Sequence, residues 1–221
     1  MKLFLTSNGI SNKSIAEAFI DLVGKPASEI HLAFIPTAMN VSRGDKSWFI
    51  DDLSNLKNLG LKFIDIVDIS ALPQDIWLPK LEKANVLFFS GGTSAHLMYW
   101  MKKSGLKELL PELLKTKVYA GISAGSIVTA PTLLMSNKRS VYKELTGYDD
   151  NDALGLVPFY FYPHLHSPDS PKNTKENLTK VAEKIKEPIY ALDDESALKV
   201  VDEEVEVVSE GKYLIFNQSK L

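Results

Sequence analysis

The sequence predicts a doubly wound α/β fold: a mainly parallel sheet covered by helices on both faces, with an antiparallel addition near the C-terminus. Three observations predict it. Strand-like and helix-like stretches alternate over the first 130 residues. The strand-like stretches are apolar almost throughout, as strands buried on both faces are, rather than at every second position. The stretch from Ile189 onward instead reads as short strands joined by tight turns.

The elements follow in order. "LFLTS" (3–7) reads as a strand and "NKSIAEAFIDLVG" (12–24) as a helix that stops at Gly24. "HLAFIPTA" (31–38) is an apolar strand, and "SWFIDDLSNLKNLG" (47–60) carries its apolar residues at helical spacing. "KFIDIVDI" (62–69) is a third strand, and "PKLEKA" (79–84) lies in a short helix. "NVLFFSGG" (85–92) is a fourth strand, followed by helical "SAHLMYWMKKSG" and "LKELLPELLK". "KVYAGISAG" (117–125) is the fifth. Residues 131–180 change character, with connections long for a compact domain and one helical segment, "TKENLTKVAEKIKE". "IYAL" then reads as a strand, followed by short antiparallel strands joined by "DEE" and "SEGK" turns.

Composition narrows the class. The 221 residues are read as one domain, 1–221, with 45% hydrophobic and 24% charged residues, an ordinary balance for a soluble globular protein. The net charge is −3 and no basic residues run together, so a nucleic-acid partner is not expected. There is no cysteine, which removes disulfides, thiolate metal sites and a cysteine nucleophile, and suits a reducing compartment. The apolar run in "MKLFLTSNGISNKS" is too short for a signal peptide, and no stretch is long enough to span a bilayer. A cytoplasmic protein with no membrane partner is the expectation.

The chemistry centres on "GISAG", residues 121–125. A Gly-x-Ser-x-Gly string at a strand-to-helix join cramps the backbone, and the glycines relieve the crowding. Ser123 is then raised above the carboxyl edge of the sheet, where open α/β sheets bind ligands. The next amide, that of Ala124, points out of a helix N-terminus and suits an oxyanion. Gly91-Gly92 at the end of the preceding strand let the backbone approach a substrate, so the Gly92 amide is the second candidate donor. Of four histidines, His31 reads as structural and His96 as a surface residue near the site. His164 and His166 follow the serine, and Pro163 fixes the backbone entering His164, the candidate general base. Asp193, Asp194 and Glu195 end the "IYAL" strand and supply an acid to orient the imidazole. The order Ser…His…acid differs from the Ser…acid…His of α/β-hydrolases, since no histidine follows His166.

With "GGT" after one strand, "GISAGS" after the next, then "DALGLVPFYFYPH" and "LDDESAL", the chain resembles peptidase family S51, the aspartyl dipeptidases (peptidase E) and cyanophycinases. The resemblance implies a class I glutamine amidotransferase-like, flavodoxin-like three-layer fold. It implies Ser123 as nucleophile, His164 as base, and the amides of Gly92 and Ala124 as oxyanion donors. It places the acid at Asp194, an aspartate where the family has glutamate, with Glu195 as competitor. It also implies two altered substrate-binding positions: Lys138 where an aspartate holds the substrate's amino end, and Lys175 where an arginine grips the aspartyl side chain. An amino end is then less favoured, and a carboxylate is gripped without the guanidinium fork. The expected protein is a serine peptidase cutting short, acidic, aspartyl-type peptides through an acyl-enzyme. It needs no metal or cofactor, takes a small peptide as partner, and is a monomer or homodimer. The alternatives are a non-catalytic small-molecule-binding protein on the same fold, or an amidase or esterase outside peptide metabolism.

Overall fold

A computed structural model describes residues 1–136 and 139–218. Seven strands form the main sheet in the order β3-β2-β4-β5-β1-β8-β9. These are β1 (Lys2–Thr6), β2 (His31–Ile35), β3 (Phe63–Ile66), β4 (Val86–Phe89), β5 (Val118–Ile122), β8 (Ser196–Val201) and β9 (Glu204–Ser209). β1 to β5 run parallel, while β8 and β9 add to the β1 edge antiparallel. β6 (Tyr160–Tyr162), β7 (Ile189–Leu192) and β10 (Tyr213–Phe216) form a second sheet in the order β10-β7-β6.

The apolar strands face two cores. Leu3 and Leu5, Ala33 and Ile35, Leu87 and Phe89, and Tyr119 belong to one; Phe4, Leu32, Phe34, Val86, Phe88 and Ala120 belong to the other. Because successive strand side chains point to opposite faces, both faces need a helical cover. α3 (Gln74–Lys83), α4 (Ser94–Lys103) and α5 (Leu106–Leu113) cover the first face through Trp77, Leu81, Leu97, Met98, Met101, Leu106 and Leu110. α1 (Lys13–Val23) and α2 (Ser47–Asn58) cover the second through Ile15, Phe19, Leu22 and Leu56. The caps of α1 are those its sequence calls for: Asn12 accepts from the Ile15 N–H, and Gly24 is left-handed at φ 73°.

The boundaries differ from the sequence reading at several elements. α3 starts at Gln74 and holds Pro79 in its interior, because burial of Trp77 and Leu81, one turn apart, fixes the helix around the proline. α7 (Arg139–Thr146) and the three-residue β6 lie in the region read as loop, both too short to leave a periodic pattern. α8 (Lys175–Ala182) packs with the small sheet around Leu178, Ala182, Ile185, Ile189 and Ala191. Among the described residues no helix is long and apolar enough to cross a membrane.

The register decides where the site lies. Thr6 pairs with Ile122 and Phe89 with Gly121, so β1, β4 and β5 end level. The segments leaving them, Ser7-Asn8, Ser90-Gly91-Gly92 and Ser123, therefore stand side by side at the carboxyl edge.

Candidate active site

Ser123 links β5 to the short helix α6 (Ala124–Ile127) with φ 45° and ψ −99°, a backbone conformation that costs energy for any residue but glycine. Its neighbours explain how the turn is held. A Cβ on Gly121 would sit 2.5 Å from the Gly125 carbonyl carbon, and one on Gly125 would sit 2.3 Å from the Phe89 oxygen. The first glycine lets α6 fold back over β5; the second seats α6 on β4. The Ser126 hydroxyl donates toward the Thr6 and Gly121 carbonyls at 2.9 Å each, and the Ser123 N–H donates to the Thr6 oxygen at 3.0 Å. These contacts over-determine the strained serine. Ala124, as the first residue of α6, has no partner for its N–H within the helix. Gly92, at φ 136°, is pressed so closely on Ala38 that a Cβ would lie 2.2 Å from the Ala38 oxygen.

His164 reaches the same point from β6. Its Nε2 is 2.9 Å from Ser123 Oγ and its Nδ1 is 2.6 Å from Asp194 Oδ1. The ring is aimed by its backbone: His164 has φ 61°, and its N–H donates to Ser7 Oγ at 2.8 Å. Ser7 Oγ in turn donates to Asp194 Oδ1 at 2.9 Å, closing a ring of contacts among Ser7, His164 and Asp194. Asn173 braces the loop from behind, donating to the Pro163 carbonyl at 3.0 Å and accepting from Tyr162 Oη at 2.7 Å. Burial opposes the charge on Asp194, but hydrogen bonds from His164, Ser7 and Ser167 outweigh it and hold the carboxyl below the usual aspartate range. Such a chain can draw a proton from a hydroxyl while an anion steadies the resulting imidazolium.

The other acids of the run turn elsewhere. Glu195 accepts from Asn12, the N-cap of α1, at 3.0 Å, and Asp193 accepts from Ser196 Oγ at 2.6 Å and from the Lys212 N–H. The acid against the imidazole is thus Asp194, and neither neighbour touches it.

The family model for "Peptidase family S51" matches residues 3–208. The chain belongs to peptidase family S51. It is accordingly a serine peptidase, and peptides are its substrate class. Among S51 relatives, an uncharacterized peptidase of Listeria monocytogenes is 28% identical over 205 residues, 92% of this chain and 96% of that protein. An uncharacterized peptidase of Pasteurella multocida is 30% identical over 164 residues, 74% of this chain and 76% of that protein. A peptidase E of Streptomyces coelicolor is 31% identical over 129 residues, 56% of this chain and 51% of that protein. A crystal structure of a candidate peptidase E from Listeria monocytogenes superposes with a TM-score of 0.80 at 25% identity, covering 95% of this chain and 98% of that one.

In this S51 peptidase, Ser123, His164, Asp194 and Gly92 line one cavity of about 630 Å³. Lys175 is not among its lining residues. It borders a separate, smaller cleft with His166 and Lys212, because α8 packs on the small sheet rather than over the serine. Lys138 lies outside the described residues. His96 is not at the surface as expected but buried, because α4 packs on the core there, with Nδ1 2.9 Å from Tyr142 Oη; His31 meets the Phe63 ring at a tilt of 33°. Sequence reasoning missed Ser7, which follows a parallel strand just as Ser123 does; its position one residue past β1, next to β5, is the only signal it leaves. It also missed the α2 side of the cavity, where Trp48, Asp51, Asp52 and Asn55 line the wall.

Proposed function

We propose that the protein hydrolyses short peptides through Ser123, His164 and Asp194. His164 Nε2 takes the Ser123 Oγ proton as that oxygen attacks the scissile carbonyl, and the Asp194 carboxylate holds the Nδ1–H and steadies the imidazolium. The Gly92 and Ala124 amides receive the oxyanion. Collapse of the tetrahedral adduct breaks the C–N bond, and the amine leaves with the proton from His164. A water molecule, deprotonated by the same imidazole, then hydrolyses the acyl-enzyme and returns Ser123 to its starting state.

The supporting observation is the unbroken chain of contacts, Ser123 Oγ to His164 Nε2 at 2.9 Å and His164 Nδ1 to Asp194 Oδ1 at 2.6 Å. For an acidic, aspartyl-type substrate the cation on hand is Arg43, the one lysine or arginine among the described lining residues. Our reading is of a single α/β hydrolytic domain over 1–221, working in the cytoplasm as a monomer or homodimer. Labelling by a fluorophosphonate probe tests the chemistry: the wild-type protein is expected to label and Ser123→Ala not to. A wild-type protein that neither labels nor cleaves any dipeptide would favour a non-catalytic binding protein. Labelling with ester but no peptide turnover would favour an esterase.

A further inference from the structure

The cavity wall contributed by α2 carries chemistry that the Ser123–His164–Asp194 chain does not use. Trp48, Asp51, Asp52 and Asn55 stand at i, i+3, i+4 and i+7 on that helix, hence on one face, and all line the cavity. Phe49, Leu53 and Leu56 on the neighbouring face pack into the core. Trp48 marks the near end of the wall: its ring lies 3.5 Å from the Cβ position of Gly91, a point 3.8 Å from Ser123 Cβ. Asp52 lies one turn further and is only 6% exposed. Its Oδ1 is 2.9 Å from the Cβ position of Gly9, a point that Ile122 Cδ1 approaches to 3.2 Å.

Asp52 is unmatched where it sits. Its Oδ2 is buried and meets no hydrogen-bond partner, and the buried Oγ of Ser42, another lining residue, meets none either. These are two of the four such side-chain atoms among the described residues, and both belong to this cavity. Among the described lining residues the charge balance points the same way, with Asp51, Asp52, Asp169 and Asp194 against Arg43. Asp194 is already engaged by His164 and Ser7. A buried carboxylate without a donor is costly, and a cation brought by a ligand offsets that cost.

We propose that the α2 wall is a subsite for a primary ammonium group of the peptide substrate, with the Asp52 carboxylate as acceptor and Trp48 packing the carbons beside it. The inference rests on the reading of Ser123 as nucleophile, since the wall is a subsite by its nearness to that hydroxyl. The ammonium belongs either to the peptide's amino end or to a lysyl side chain. Burial, with the charge of Asp51 added, pushes the Asp52 carboxyl up to about 7. Among the described residues, the charged or titratable groups around it are Asp51 on its own helix, Arg43 on the preceding loop, and His164, Asp169 and Asp194 elsewhere on the cavity; Gly9 and Ile122, packed against it, carry none. Near neutrality the free carboxyl is therefore part protonated, and a docking ammonium expels that proton.

The test uses the full chain carrying Ser123→Ala, so that binding is read without turnover. Calorimetry compares alanyl-alanine, N-acetyl-alanyl-alanine and N-acetyl-lysyl-alanine at pH 7 in two buffers of different ionisation enthalpy. At least one ammonium-bearing peptide is expected to bind tenfold or more tightly than N-acetyl-alanyl-alanine, with release of about half a proton per peptide bound. Preference for alanyl-alanine identifies the amino end, and preference for the acetyl-lysyl peptide identifies the side chain. Adding Asp52→Asn is expected to erase both the preference and the proton release, and Asp52→Glu to restore part of each. Equal binding of all three peptides, binding of none, or a preference that survives Asp52→Asn overturns the proposal. Failure of Ser123 as nucleophile would register separately, as absent fluorophosphonate labelling of the wild-type protein, and would leave these binding results unchanged.

Discussion

Two aspartates line the same cavity from different elements, and their surroundings push them in opposite directions. Asp194, between β7 and β8, is partly buried, yet the donors around it hold its carboxyl below the ordinary range. Asp52, in the middle of α2, is buried with one oxygen unpartnered, and its carboxyl rises to about 7. Desolvation acts on both; what separates them is the supply of hydrogen-bond donors, plentiful at the β7–β8 turn and missing along the helix wall. A helix has spent its own N–H groups on its backbone, whereas a turn at the carboxyl edge has loops and free hydroxyls within reach. The difference assigns different work. A carboxylate held ionised can steady an imidazolium, while one left unmatched suits a charge that arrives from outside.

The largest test falls on the Asp194 side. Ser123→Ala is expected to lower kcat by about 10⁶ in steady-state peptide hydrolysis with the melting temperature little changed. Activity within tenfold of wild type would leave Asp194 with no chemistry to serve. Asp194→Asn should cost about 10⁴ in kcat, because the amide no longer holds the imidazole tautomer that accepts the serine proton. Ser7→Ala should follow it in direction with a smaller loss, since Ser7 touches both His164 and Asp194. An Asp194→Asn enzyme as active as wild type would break the contrast between the two acids.

The next effect belongs to Asp52 and is read as stability against pH. Its carboxyl is raised in the folded protein, so its contribution to stability is fully present below pH 3.8 and is lost as the pH rises through about 7. Asp52→Asn removes that loss. The variant should gain on wild type by on the order of 4 kcal/mol between pH 4 and pH 8 in urea unfolding. Asp194, with its depressed carboxyl, has the opposite sign: its stabilising contribution is present above pH 3.8 and lost as the pH falls through its folded value. Parallel pH–stability curves for wild type and Asp52→Asn would show that Asp52 is matched after all. The smallest effects are expected away from the cavity. Lys175→Ala and Glu195→Gln should each change kcat/KM by less than about threefold, as surface changes remote from reacting atoms do. A rise in KM for acidic substrates alone in Lys175→Ala would restore that lysine as the carboxylate grip.

Much of the fold is legible in the sequence because its signals are local. Runs such as "HLAFIP" and "NVLFF" are apolar on both faces, which requires a covered parallel sheet. Gly24 and Asn12 punctuate α1 where the chain says they should. β6 and α7 are not legible: three strand residues or two helical turns leave no period to read. The "GISAG" string carries its own backbone logic, since the glycines answer to contacts with Gly125 and Phe89 that any strand–turn–helix of this tightness creates.

The sequence alone determined the alternating α/β order, the serine at the tightest turn and the order of serine, histidine and acid along the chain. Only the tertiary structure decided which acid meets His164, that Ser7 ties that pair together, and that Lys175 stands outside the cavity. It alone brought Asp52 to the same cavity as Ser123, across 71 positions of sequence. Backbone propensity and apolar periodicity act between near neighbours in the chain, and so can be read from a string of letters. Proton transfer and charge pairing act through a few ångströms of space, between side chains whose distance the sheet register sets and the sequence does not spell out.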